Sequence, residues 1–131
     1  MEMFIKNESL YNLSETTGII EKALLDGNWK IMHTHHLHQS LKNHGFEVLP
    51  VVVMEVCRPD YSVKMLSLDN ERIYSSLMPC RISLYETSDG KTWVSRMNSG
   101  AMAKQAGGIT EEVMKKAFEE IENILAPIVK H

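Results

Sequence analysis

A chain of 131 residues, 44% hydrophobic and 24% charged, suits a single domain spanning 1–131 with one core. A net charge of −3 and a pI near 6.1 give no electrostatic reason to expect nucleic acid or an anionic membrane as partner. The longest nearly apolar run, Val48 to Met54, contains Pro50 and stops at Glu55, far short of the ~20 apolar residues of a membrane span. The start, Met1-Glu2-Met3, carries no basic region ahead of an apolar stretch, so no signal peptide is expected. A cytoplasmic location with reduced thiols follows as the expectation.

In chain order, Met3 to Lys6 reads as a short strand. Ser14 then caps a helix with Glu15 in its first turn, Ile19, Ile20, Ala23 and Leu24 form its apolar stripe, and Gly27 ends it. Trp29, Ile31 and His33 alternate with Lys30, Met32 and Thr34, a strand pattern. A short helix follows with Leu37, Leu41 and His44 on one face and Gly45 as its stop. Val48 to Val56 is the strongest strand, and Pro50 places its start at an edge or a bulge. Tyr61, Met65 and Leu68 have helical spacing after Pro59-Asp60. Arg81 to Glu86 and Thr92 to Met97 are strands joined through Asp89-Gly90, a strong hairpin signal. Ser99 caps a short helix ending at Gly107-Gly108. Thr110 caps the last and longest helix, whose apolar face runs from Val113 to Ile128. Met32, Met54, Met65, Met97 and Met114 fall at core positions, where methionine fills gaps.

The chemistry-bearing residues are few. Cys57 and Cys80 are the only thiols, in Cys57-Arg58-Pro59 and Met78-Pro79-Cys80, at the end of one strand and the start of the next. The 58–79 segment is long enough for a parallel crossover, which puts the thiols at opposite sheet edges, or an antiparallel return, which puts them at one edge. Side-chain parity sets Cys80 with Ile82 and Leu84 but Cys57 with Val51, Val53 and Glu55, away from the cleaner apolar face of Val52, Met54 and Val56.

Three functional chemistries fit the thiols. Cys57, just before a helix and beside Arg58, could be a low-pKa nucleophile or redox centre, with Cys80 resolving it. The pair could hold a soft metal, with His33 or His35 completing the shell. Or the thiols, with Arg58, Pro59 and Pro79 nearby, could line a small-molecule pocket. Against these stands plain burial, since free cysteine is among the most buried residue types. Neither a CxxC nor a zinc-type spacing is present. His33 and His35 belong to a histidine tract that also reads as a solvated connection. Gly107-Gly108 is explained by a helix stop and start, so no cofactor-binding motif is assigned. Whether the chain is an enzyme stays open.

Gly45-Phe46 through Pro50, Val56-Cys57-Arg58-Pro59, Met78-Pro79-Cys80-Arg81-Ile82, and Tyr85 with Asp89-Gly90-Lys91-Thr92 occur in the order seen in the "domain of unknown function 302" family, which the chain resembles from about Ser14 to the last helix. The family's usual Cys-Asn-Pro is Cys-Arg-Pro here, which adds a positive charge next to the thiol. The resemblance implies a two-layer α+β fold of TATA-box-binding-protein-like β-α-β4-α order, with helices on one face of an antiparallel sheet and extra short helices. It also implies a homodimer. An antiparallel sheet favours the same-edge placement of the thiols. The resemblance carries no activity, and the fold name does not imply DNA binding. The function expected is a homodimeric binding module with a small-ligand or soft-metal site near Cys57 and Cys80. The alternative is a thiol-dependent redox enzyme or sensor.

Overall fold

The computed structural model describes residues 2–131. Five strands, β1 (Phe4–Glu8), β2 (Lys30–His36), β3 (Val51–Cys57), β4 (Cys80–Glu86) and β5 (Thr92–Met97), form one sheet. Its order is β1-β5-β4-β3-β2, antiparallel at every pairing. The helices are α1 (Leu13–Asp26), α2 (Leu37–Lys42), α3 (Pro59–Leu66), α4 (Ser99–Met102) and α5 (Gly108–Leu125). This is the two-layer α+β arrangement expected. β1 and β2 are the two edges, so α1 carries the chain across the whole sheet.

Strand alternation sets the layers. In β3, Val52, Met54 and Val56 are buried while Val51, Val53, Glu55 and Cys57 are only partly so. Their register partners Ile82 and Leu84 share the buried face. Against it pack Ile20 and Leu24 of α1, Tyr61 and Met65 of α3, and Val113, Ala117, Ile121 and Leu125 of α5. The other face of the sheet is not covered by these helices and is called the outer face here. Each fully buried Leu, Ile, Val or Met side chain contributes roughly 1.5–3 kcal/mol of burial free energy.

Local signals were displaced at several ends. Asn12, not Ser14, caps α1: its Oδ1 accepts the Glu15 N–H at 2.8 Å, and Ser14 is the second residue of the helix. Thr16, bonded to Ser9 at 2.6 Å, replaces Ile19 on the buried stripe. α5 starts at Gly108, so Thr110 is a buried first-turn residue and Gly107, at φ +64°, stands at the cap. Asn98 precedes α4, and Ser99 is its first residue rather than its cap. β3 starts at Val51, and it is a central strand; Pro50 stands just outside the ladder, where its carbonyl accepts the Glu86 N–H at 3.1 Å. A bulge between Ile31 and His33 breaks the alternation in β2, and Met32 is 61% exposed there rather than in the core. Leu68 is exposed, and a 3-10 segment, Glu71–Leu77, fills the chain before β4.

Candidate functional site

The direction of the strands brings five chain positions to one end of the sheet: the starts of β1, β2 and β4 and the ends of β3 and β5. Cys57 and Cys80 both lie at this end, and Val56 pairs with Cys80 in the register. Chain return from Cys57 to Cys80 runs through α3 and the 3-10 segment, and the Met78–Pro79 peptide bond is cis.

Cys57 closes β3 because the chain must turn there. Arg58 takes an extended conformation as the cap of α3, and Pro59 occupies the first helical position, where its missing N–H costs nothing. The turn places the Cys57 Sγ 3.0 Å from the Ser62 hydroxyl, one helical turn into α3. Cys80 opens β4 on the parity of Ile82 and Leu84, facing the helical layer. Despite their opposite parity, both thiols line one largely apolar cavity of about 50 Å³. Its walls include Trp29, Tyr61, Met65 and Met114, and Trp29 meets Tyr61 edge-on at 6.4 Å. Burial pushes the Cys80 thiol up from its ordinary 9.0, and the neighbouring Cys57 pushes it the same way.

The charge beside Cys57 is not free to act on it. Arg58 Nε donates to Asp60 at 3.0 Å, its Nη1 donates to Glu120 at 2.9 Å, and the guanidinium stacks 4.6 Å over the Tyr61 ring. Asp60 holds Arg58 charged and is itself pulled below the usual carboxylate range by it. Arg58 and Pro79 line the thiol cavity; Pro59 stands in the helix start, outside its walls.

His33 and His35 lie elsewhere. They stand opposite Glu55 and Val53 on the outer face, with their rings 4.3 Å apart. His35 Nε2 is bonded to Glu55 Oε1, and Arg81 approaches the other Glu55 oxygen at 3.8 Å. The His35 hydrogen bond lowers the Glu55 pKa, with Arg81 and His33 adding to it. Among the described residues, no three of the His, Cys, Asp and Glu side chains are grouped to hold a metal ion. Other histidines serve the backbone: His38 Nδ1 accepts the Val51 N–H at 3.1 Å, and His44 Nδ1 donates to the Ser40 carbonyl at 2.9 Å.

Two features of this sheet end were missed in the sequence. Arg96 is 7% exposed on the helical side of β5, its Nε and Nη2 donating to Glu122 of α5 at 2.8 and 2.6 Å. A charged residue on the parity of Thr92 and Val94 was the available signal. The second is a larger cavity of about 360 Å³ on the other side of Cys80, which lines both. No helix among the described residues is long and apolar enough to cross a membrane.

A small two-layer α+β domain with a hollowed sheet end defines the class of protein. The model of the DUF302 family, "Domain of unknown function DUF302", matches residues 5–128, and the chain belongs to that family. The fold is similar to that in the "Crystal structure of uncharacterized conserved protein DUF302 from Bacillus stearothermophilus", with a TM-score of 0.85 and 15% identity over 98% of this chain and 99% of that one. No curated protein matches the chain.

Proposed function

We propose that this protein is a cytoplasmic, homodimeric binding module that holds a small ligand or soft metal ion at the sheet end marked by Cys57 and Cys80. The observation that carries this reading is the convergence of the two thiols on one largely apolar cavity. Concave apolar sites with a few placed polar groups are the usual form of small-molecule sites. The soft-metal form would draw on two thiolates and the thioethers of Met65, Met78 and Met114, which line the same cavity. The outer-face histidines are not part of it. A dimer is supported by Leu37, Leu41, Phe46, Val48 and Leu49, all exposed within one short stretch that includes α2. The net charge of −3 supports no nucleic-acid role.

The test is to denature anaerobically purified protein and analyse the released material for soft metals and small organic molecules. A stoichiometric occupant, reduced in both Cys57→Ser and Cys80→Ser, is expected. An empty protein whose serine variants lose only stability contradicts the reading. Light scattering on the same sample should give twice the chain mass, and Phe46→Glu should give the single mass.

The redox alternative has one observation in its favour, the Cys57–Ser62 hydrogen bond beside a second thiol. The raised pKa of Cys80 and the engagement of Arg58 by carboxylates weigh against it. Peroxide treatment that yields an intramolecular disulfide would restore it.

A further inference from the structure

The larger cavity exists because β4 and β5 part. Their pairing stops at Ile82 and Arg96, whereas β5 stays paired with β1 out to Met97 and Phe4. Cys80 and Arg81 are left without partners on β5, and the fork between the strands is hollow. Its walls come from both layers: Val53, Ser83 and Ser95 from the outer face, Met114, Phe118 and Ile121 from α5. Ser83 and Ser95 oppose each other in the register. The next outer-face pair is Tyr85 and Trp93, so the surface drops from two large rings to two small hydroxyls. The resulting volume, about 360 Å³, falls within the range of small-molecule sites.

The charges select the occupant. Two arginines and no acidic side chain line the cavity among the described residues. Arg96 is neutralised by its two-fold bond to Glu122, and its Nη1 donates to the Val94 carbonyl at 3.3 Å. Arg81 is different. Its side chain is 66% exposed, its ion pair with Glu55 Oε2 is long at 3.8 Å, and its guanidinium makes no hydrogen bond among the described residues. Its fork is therefore free for one anionic group at the rim. Ser83 and Ser95 add hydroxyls to the lining, and Phe4, Met97 and Phe118 supply apolar wall.

We propose that this cavity binds an amphipathic monocarboxylate, its carboxylate held by Arg81 and its hydrocarbon body in the fork between β4 and β5. Arginine suits the role because its planar fork matches a carboxylate in two parallel hydrogen bonds. The inference rests on the binding-module reading, names its ligand class, and does not depend on the thiols holding anything.

The probe is octanoate, with 1-octanol as its uncharged counterpart, titrated into the full-length protein and followed by calorimetry and amide NMR. Octanoate should bind at least about tenfold more tightly than octanol, since only the carboxylate forms a charge-assisted pair with the guanidinium. Its shifts should centre on Ser83 and Ser95. Arg81→Gln, at a position 66% exposed, should weaken octanoate about tenfold or more and leave octanol unchanged. Ser95→Leu, which fills the hollow from the outer face, should abolish both. Cys57→Ser should leave octanoate binding intact, which separates this proposal from the thiol site. Absence of octanoate binding at millimolar concentration, equal affinity for octanol, or an undiminished Arg81→Gln overturns it.

Discussion

The thiol end of the sheet and the histidine cluster on its outer face are both groupings of reactive side chains, yet they are built in opposite ways. At the thiol end, Cys57 and Cys80 face an apolar cavity, and the nearby charges of Arg58 and Arg96 are already matched by Asp60, Glu120 and Glu122. Burial then dominates and raises the Cys80 pKa. On the outer face, His35 and Glu55 satisfy one another, and their hydrogen bond dominates, lowering the Glu55 pKa, with the more distant charges of Arg81 and His33 adding to it. The lesson is that proximity of titratable groups does not by itself make a site. The first region has hollow space and unpartnered chemistry beside it; the second has its chemistry consumed internally.

Four expectations sharpen that contrast, and the largest concerns Arg96. Arg96→Ala should cost about 3–5 kcal/mol, because it leaves Glu122 unpaired beneath the sheet end. Urea denaturation would show this. The double replacement Arg96→Met with Glu122→Leu should lose far less, since no charge is then left stranded. Equal losses would mean that the side chains matter by packing and not by charge.

Cys80→Ser should cost about 1–3 kcal/mol, as it puts a hydroxyl into the apolar surroundings of a partly buried position. Cys57→Ser should cost less, because Ser62 already offers a hydrogen-bond partner at 3.0 Å. Reversal of that order in the same denaturation series would place the drier environment at Cys57.

The pH dependence of the two regions should run in opposite directions. Cys80 has a raised pKa, so its contribution to stability is complete below about pH 9, where the unfolded thiol is also neutral, and is lost as pH rises through the folded value. Its alkylation by iodoacetamide, read by peptide mass spectrometry, should stay slow at pH 8 and accelerate only well above pH 9. Glu55 has a lowered pKa, so its contribution is present above the ordinary 4.5 and is lost as pH falls through the lower folded value. The smallest effect is therefore a stability difference between the wild type and Glu55→Gln that is visible at pH 6 and vanishes in acid. A difference that did not shrink as pH falls progressively below 4.5 would point to packing instead.

Much of the fold was legible because it rests on period. The alternation in β3, the Asp89-Gly90 hairpin and the apolar stripe of α5 state their structure locally, and the two-layer order followed from the family resemblance. Competing local signals were less legible. Asn12 and Ser14 can both cap a helix, and it is Asn12 that accepts the Glu15 N–H, with the buried Thr16 bonded to Ser9 and to the Asn12 carbonyl just beside it. The bulge at Met32 and the 3-10 segment have no periodic signature to read. Of the candidates named from the sequence, Cys57, Cys80, Arg58 and Pro79 line the thiol cavity, and Pro59, His33 and His35 do not. The sequence could not supply the fork between β4 and β5, because that hollow arises where a ladder stops and where Ser83 happens to face Ser95. Arg96 could have been noticed, as a charge on a buried strand parity, and its partner could not.

Native mass spectrometry of anaerobically purified wild type, Cys57→Ser, Cys80→Ser and His35→Ala tests the claim that the thiol end, and not the histidine face, is the binding site. The predicted result is a dimer carrying an adduct that is reduced in both serine variants and retained in His35→Ala. An adduct lost from His35→Ala and kept by both serine variants would contradict it, as would a bare chain in all four.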